Sequence, residues 1–316
     1  MSNNRLHIII HALPREVDGV ERILDQFHRG AHFLESTDEV VLDCTLNLSP
    51  QLTVWENSKL PREYFMEKWK VLENKASWTV ENYFEIETGD TCDQVLGCND
   101  KRRNSIRKYA DDTTHFMYVD CDVFFSVYTL LYIFRTLEQI PNEYSIVTPE
   151  ILKLWDPSWD VISNKRWVGH GYDSNIWRLY DHYRLDRECF DYLEDVSIKP
   201  IPIVKFGGGL LTTFSSNLLK LIDIPDTFPG YGLDDTFVMD CANIMRSIGK
   251  DVQQYVIENI IVMENRKYKG AEFNTYLNLL DDPTSDERGQ EIKNKFRAIA
   301  QANYGREIEI FKSKLQ

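Results

Sequence analysis

Short apolar or β-branched runs alternate along this chain with stretches whose apolar residues recur at helical spacing. That alternation restricts the fold to a layered α/β arrangement, a mostly parallel, Rossmann-like central sheet with helices on both faces. Residues 6–11 form a β-branched run that Ala12-Leu13-Pro14 breaks; Val17, Val20, Ile23, Leu24 and Phe27 then follow a helix period. Val40-Val41-Leu42 reads as a buried strand ending at Asp43. Further strands are predicted over 80–86, 115–119, 145–148 (stopped by Pro149) and 255–263, and helices over 64–72, 104–110, 127–137, 217–222, 234–247 and 291–302. Residues 155–199 differ in texture: rich in Trp, Tyr, Asp and Arg and without clear period, they read as an irregular insertion walling a pocket. Order is predicted to return at Val204-Lys205-Phe206, just before Gly207-Gly208-Gly209.

A chain of 316 residues, 43% hydrophobic, is long enough to bury a full core. No Gly/Ser-rich or Pro-rich linker divides it, so one continuous domain is expected over residues 1–265, with halves at about 1–150 and 151–265, followed by a C-terminal helical extension over 266–316. No apolar run reaches bilayer-spanning length, and the apolar stretch after the polar N-terminus is too short for a signal-peptide core, so a cytoplasmic protein is expected. The six cysteines (44, 92, 98, 121, 189 and 241) are scattered, which fits reduced thiols rather than a disulfide framework. A net charge of -14 disfavours nucleic acid as a partner, because phosphate contacts need basic surface. The one dense basic cluster is Lys101-Arg102-Arg103 with Arg107 and Lys108.

The segment with the most chemistry is Phe116-Met117-Tyr118-Val119-Asp120-Cys121-Asp122. Its apolar run marks a strand buried on both faces. In open α/β sheets ligands bind beyond the carboxyl ends of the strands, and two acids placed there need a cation or donors to offset their desolvation. In extended backbone, residues i and i+2 share a side, so Asp120 and Asp122 can face one ligand. Carboxylate oxygens suit Mg2+ or Mn2+, which complete their shells with water and substrate phosphates. The alternative is that Asp122 caps the following helix and Asp120 holds a loop.

With those acids, four further stretches resemble the GT-A glycosyltransferases in order and spacing. These are residues 7–14 (HIIIHALP), 40–43 (VVLD), 102–106 (RRNSI) and the pair Phe206-Gly207-Gly208-Gly209 and Gly230-Tyr231-Gly232-Leu233-Asp234-Asp235. The resemblance spans about residues 6–240 and implies a metal-dependent hexosyl- or pentosyltransferase using a nucleoside-diphosphate sugar. By it, Asp122 binds Mn2+ or Mg2+ directly, and Asp120 meets the metal through water or the donor ribose. Arg103 lies near the diphosphate, Asp43 accepts from the base (uracil for a UDP-linked donor), and Ala12 and Pro14 wall the base. Gly207, Gly208 and Gly209 let a sugar approach the backbone. As in inverting members of the class, Asp235 is the general base on the acceptor hydroxyl, with Asp234 binding the acceptor; retaining members share the fold and the paired acids, so the stereochemistry stays open. Each assignment has a structural alternative: a solvent-facing arginine, a loop cap at Asp43, a bulge at the glycines, a dipole-favoured first helical turn at Asp234-Asp235. No histidine follows the acidic motif, which leaves Glu264, Asn265 or water as a further metal ligand.

Two other classes stay open on sequence. A sugar nucleotidyltransferase shares the sheet and acids, but opens with a glycine-rich loop where this chain reads Ala12-Leu13-Pro14-Arg15-Glu16. A non-catalytic carbohydrate- or nucleotide-binding module keeps the fold without turnover. The acceptor stays open among a soluble glycan, a lipid-linked precursor, a protein and, against the charge, a modified nucleic-acid base.

Overall fold

The structure, a computed structural model, describes residues 4–48, 62–88, 97–121, 123–151, 157–164, 193, 195–204, 210–264 and 285–316. Its strands are β1 (Arg5–Ala12), β2 (Glu39–Asn47), β3 (Glu81–Glu87), β4 (Thr114–Val119), β5 (Val123–Phe125), β6 (Tyr144–Ile151), β7 (Ser197–Ile201), β8 (Leu211–Ser215) and β9 (Val252–Glu264). The helices are α1 (Val17–Ala31), α2 (Arg62–Lys75), α3 (Cys98–Tyr109), α4 (Thr129–Gln139), α5 (Ser216–Ile222), α6 (Asp234–Ser247) and α7 (Ser285–Lys314). The strands form one sheet in the order β3-β2-β1-β4-β8-β6-β9-β5, with β7 paired along β9. Strands β1 to β4, β6 and β9 run one way, and β5, β7 and β8 run against them.

Helices α1, α2 and α4 cover one face and α3, α5 and α6 the other. The stripe read from the sequence for α1 is its buried face, with Val17, Val20, Ile23, Leu24 and Phe27 all at 0–1% exposure. Phe116 to Val119 of β4 are buried too, as a strand sandwiched between helix layers must be.

Several elements differ from the sequence reading: β5 and β7 were not predicted, and β7 with a 3-10 turn at Pro157–Ile162 falls inside the stretch 155–199 read as irregular. Four further differences are instructive. β2 does not end at Asp43 but runs to Asn47: Cys44 and Leu46 face one helix layer while Asp43, Thr45 and Asn47 are buried under the other, so their polarity imitates a loop. β6 passes through Pro149: β8 pairs only with Ile146 and Val147, and on the other side Pro149 stands opposite Ile257 of β9 just where that register shifts. β8 went unpredicted, since Thr212 and Thr213 interrupt its apolar pattern although both are fully buried. α7 extends well past 291–302 on both sides, and Phe296, Ala300 and Phe311 are buried along it, the last two within the main core.

The consequence for function is one shared edge. The carboxyl ends of β1, β2, β3, β4, β6 and β9 meet there, and β8 begins there opposite Val119.

Candidate active site at the strand ends

Asp120 directly follows β4 at this edge, its side chain 43% exposed. Beside it, the Cys121 thiol donates to the His11 carbonyl oxygen at 3.2 Å, tying the turn to the end of β1. Asp122 lies outside the described residues. Among the described residues no group of three or more His, Cys, Asp or Glu is placed to hold a metal ion. Among the described residues this point offers one partly exposed carboxylate, the oxygen type that hard divalent cations take. Of the other candidates, Asn265 lies outside the described residues, and Glu264 ends β9 paired with Val123, the residue after Asp122.

Helix α3 lays three consecutive cations under the sheet edge, each only 4–6% exposed. They serve three different purposes. The Lys101 ammonium pairs with Asp43 and with Glu85 at 3.0 Å. Arg102 stacks on the Tyr118 ring, 4.3 Å from its centroid. From there its guanidinium donates to Asp234 at 2.7 Å and stands 3.7 Å from Asp120. Burial works against that charge, but Cys98, Asp234 and Asp120 around it hold the guanidinium protonated. Arg103 points elsewhere: it donates to the carbonyl oxygens of Pro225 at 2.9 Å and Phe228 at 3.4 Å, and pairs with Asp100 and with Asp226 at 3.0 Å. The residue facing the strand-end acids is thus Arg102, and the expectation for Arg103 is corrected. With α3 starting at Cys98, Arg103 turns toward the 225–228 loop, which it ties down.

Asp43 is corrected in the same way. It sits in mid-strand, opposite Ile9, at 2% exposure. Its carboxylate accepts from His7 Nε2 at 3.2 Å and Ser105 Oγ at 2.5 Å and pairs with Lys101. Burial opposes its charge, yet these partners together hold its carboxyl below the ordinary aspartate range. It anchors α3 to β2 and offers no open face to a base. Ala12 ends β1 at the site edge, Leu13 follows it, both buried, and Pro14 begins a short 3-10 turn there. Gly207, Gly208 and Gly209 lie outside the described residues.

The acidic motif reaches this edge through left-handed backbone: Gly230 at φ 68°, Gly232 at φ 90° and Leu233 at φ 65°. The first two values suit glycine. Leu233 pays strain to start α6 where it does. The loop is latched onto the first turn of α3. Asp100 Oδ2 accepts from the backbone N–H of both Gly97 (3.1 Å) and Gly230 (2.9 Å). Asn99 donates its backbone N–H to the Gly230 carbonyl at 2.9 Å and its side-chain amide to the Gly232 carbonyl at 3.0 Å. From the other side α7 presses Phe296 against Gly230 and Arg297 against Gly232, while Thr227 donates to Glu307 at 2.9 Å.

The two acids so presented are not equivalent. Asp234 is 2% exposed and committed to Arg102, so it does not face an acceptor, which corrects that expectation. Asp235 is partly buried and accepts from its neighbour's N–H (Thr236) at 2.7 Å. Burial first, and the Asp234 charge second, push its carboxyl above the usual aspartate range. Arg102, Lys101 and the Gly97/Asp100 latch were missed as site residues in the sequence. A helix-start signal was present, since Gly97 and Asp100 have the spacing at which an acid returns to the capping residue's N–H.

No family model matches the chain, and no curated protein does. Among solved structures it is similar to TarS of S. aureus, at 10% identity and a TM-score of 0.45, covering 87% of this chain and 39% of that one. The 1–349 portion of TarS in complex with UDP-GlcNAc gives 11% identity and a TM-score of 0.47, over 92% and 71% of the two chains. Mannosyltransferase PcManGT from Pyrobaculum calidifontis, in complex with GDP-Man and Mn2+, gives 12% and 0.44, over 95% and 74%. The chain spans well under half the length of full TarS. Among the described residues no helix is long and apolar enough to cross a membrane.

Proposed function

We propose that this chain is a metal-dependent glycosyltransferase of the GT-A type, moving a sugar from a UDP-linked donor to a hydroxyl acceptor. One observation carries the reading: at the carboxyl edge of the sheet, a buried arginine, Arg102, stands between the strand-end acid Asp120 and the acids that open α6. A fixed cation amid carboxylates at such an edge is a place for a polyanionic leaving group and the cation that accompanies it.

Asp120 and Asp122 are the residues proposed to hold Mn2+ or Mg2+, whose chemistry is to offset the charge gathering on the departing diphosphate. Arg102 supplies a second positive group, already desolvated and held in place by Tyr118 and Asp234. Asp235 takes the proton of the acceptor hydroxyl. As that oxygen bonds to the anomeric carbon, the bond from carbon to the β-phosphate oxygen breaks, and the nucleoside diphosphate leaves with the electron pair. Attack by the acceptor oxygen from the face opposite the leaving group inverts the anomeric centre. The raised pKa of Asp235 suits this work, since a base is most effective when its pKa lies near the working pH. The insertion over 155–199 is proposed to select the acceptor.

The test is a panel of nucleotide sugars with and without Mn2+ or Mg2+, on the wild type and Asp122→Asn. Slow metal-dependent release of UDP from one donor, lost in the variant, supports the reading and names the sugar. Absence of binding to every donor in either metal sinks it.

A further inference from the structure

His7 is held by Asp43 in the interior, but two other histidines are left uncommitted on the surface. His28 and His32 stand at the end of α1, four positions apart, and both are exposed. His32 caps the helix with right-handed backbone (φ -64°, ψ -14°), so the helical register carries through it and the two side chains share one face. Their ring centroids are 5.4 Å apart, with the planes tilted by 32°. Among the described residues neither imidazole makes a hydrogen bond or an ion pair.

Geometry, orientation and charge all fit this pair to a cation. Two imidazoles that bind one metal ion at about 2.0–2.1 Å, with about 90–110° between them, have centroids about 4.5–5.2 Å apart. The 5.4 Å seen here is a small side-chain rotation from that. Trp78 stacks on His28 with planes within 3° and centroids 6.0 Å apart, which covers a face of the imidazole and leaves its in-plane nitrogens free to bind. Trp78 is itself packed against the core, so it restrains the His28 ring. The last turn of α1 carries the negative end of the helix dipole, which favours a cation there. Asp25, 58% exposed, lies on the same face one turn earlier and adds a negative charge. Imidazole suits Cu2+, Ni2+ and Zn2+, whereas Mg2+ and Mn2+ prefer oxygen. The place is also remote from the strand-end acids. α1 starts just after the turn that follows β1 and belongs to the helix layer opposite Arg102, and its last turn lies about 20 Å from its first.

We propose that His28 and His32 form a second metal site, which takes Cu2+, Ni2+ or Zn2+ through one nitrogen of each imidazole, with water in the remaining positions. The bound ion links two successive turns of α1 and so holds the end of the helix in its folded form. The site uses no strand-end residue, and it stands or falls independently of the glycosyltransferase reading.

Titration calorimetry of the full chain with Zn2+ and with Cu2+, on the wild type and on Asp122→Asn, tests it. The expected result is a site that binds Cu2+ more tightly than Zn2+ and is unchanged in Asp122→Asn. His28→Ala and His32→Ala should each weaken Zn2+ at that site about 100-fold, the gain that a second, tethered ligand gives. Both side chains are exposed, so the metal-free variants should melt with the wild type. Zn2+ should then raise the Tm of the wild type, and of neither variant at the same concentration. Cu2+ should quench tryptophan emission in the wild type, where Trp78 lies against His28, and less in His28→Ala. Zn2+ affinity unchanged in both histidine variants overturns the proposal, as does a site that is lost in Asp122→Asn and kept in the histidine variants. A loss in only one histidine variant also overturns it, because it leaves a single imidazole as the ligand.

Discussion

Gly97 and Gly230 meet backbone to backbone: a Cβ on Gly97 would stand 2.2 Å from the Gly230 Cα. No flexible side chain is there to give way. Gly97→Ala should therefore force α3 and the 230–233 turn apart, lowering stability by about 1–3 kcal/mol, the usual range for overpacking. UDP binding with Mn2+ should weaken with it. Urea denaturation and calorimetry check both, and a variant as stable and as tight-binding as wild type would show that the latch is not needed.

The neighbours Arg102 and Arg103 should separate cleanly. Arg102→Lys keeps the charge but loses the planar group that stacks on Tyr118 and reaches Asp234. Donor turnover should fall about 100-fold, the scale seen when one preorganised donor to a developing charge is removed. Arg103→Met should instead lower stability by about 2–3 kcal/mol, as the buried Phe228 carbonyl and the Pro225 carbonyl lose a charged donor. Its donor turnover, measured well below the melting temperature, should stay close to wild type. The reverse pattern would return Arg103 to the diphosphate.

Asp235→Asn should leave UDP and Mn2+ binding intact and reduce transfer by about 10²–10⁴, the general-base contribution. Because the base must be unprotonated, kcat/KM should fall as pH drops through the pKa of Asp235. That limb should lie above the ordinary aspartate value, since burial and Asp234 raise it. An acid limb at or below the ordinary aspartate range, or a variant with wild-type turnover, would remove Asp235 from the chemistry.

Part of this site could be read directly from the residues. Asp120 stands where the apolar run of β4 predicts, and α6 begins at the predicted Asp234. The choice among Lys101, Arg102 and Arg103 could not be read, because it depends on where α3 starts. Starting the helix at residue 104 leaves the three cations without an assigned face, while starting it after Gly97 puts Arg102 on Tyr118. Asp43 was misread for a different reason. Its strand alternates apolar with polar residues, and the partners of Asp43, Lys101 and Ser105, come from a helix about sixty residues away, so no local pattern reports a buried ion pair of that separation.

That ion pair carries its own prediction. The Asp43 carboxyl is held below its unfolded value, so it stabilises the fold above about pH 4, its unfolded range, and the contribution is lost as pH falls through the lower folded value. Asp43→Asn leaves Lys101 buried beside a neutral group, at a cost of about 3–5 kcal/mol near neutrality. The stability gap between wild type and variant should close on acidification. A gap that stays constant with pH would mean that Asp43 contributes by shape rather than by charge.

The wedge of Phe296 against Gly230 also bears on the order of events during synthesis. The turn that carries Asp235 leaves the ribosome about sixty residues ahead of the helix that braces it. Until α7 docks, the turn lacks that brace and rests on its bonds to α3. A nascent chain can therefore complete its sheet and bury most of its core while the turn that carries Asp235 still lacks its α7 brace, so that the strand-end arrangement is finished only after translation has passed the whole of the sheet.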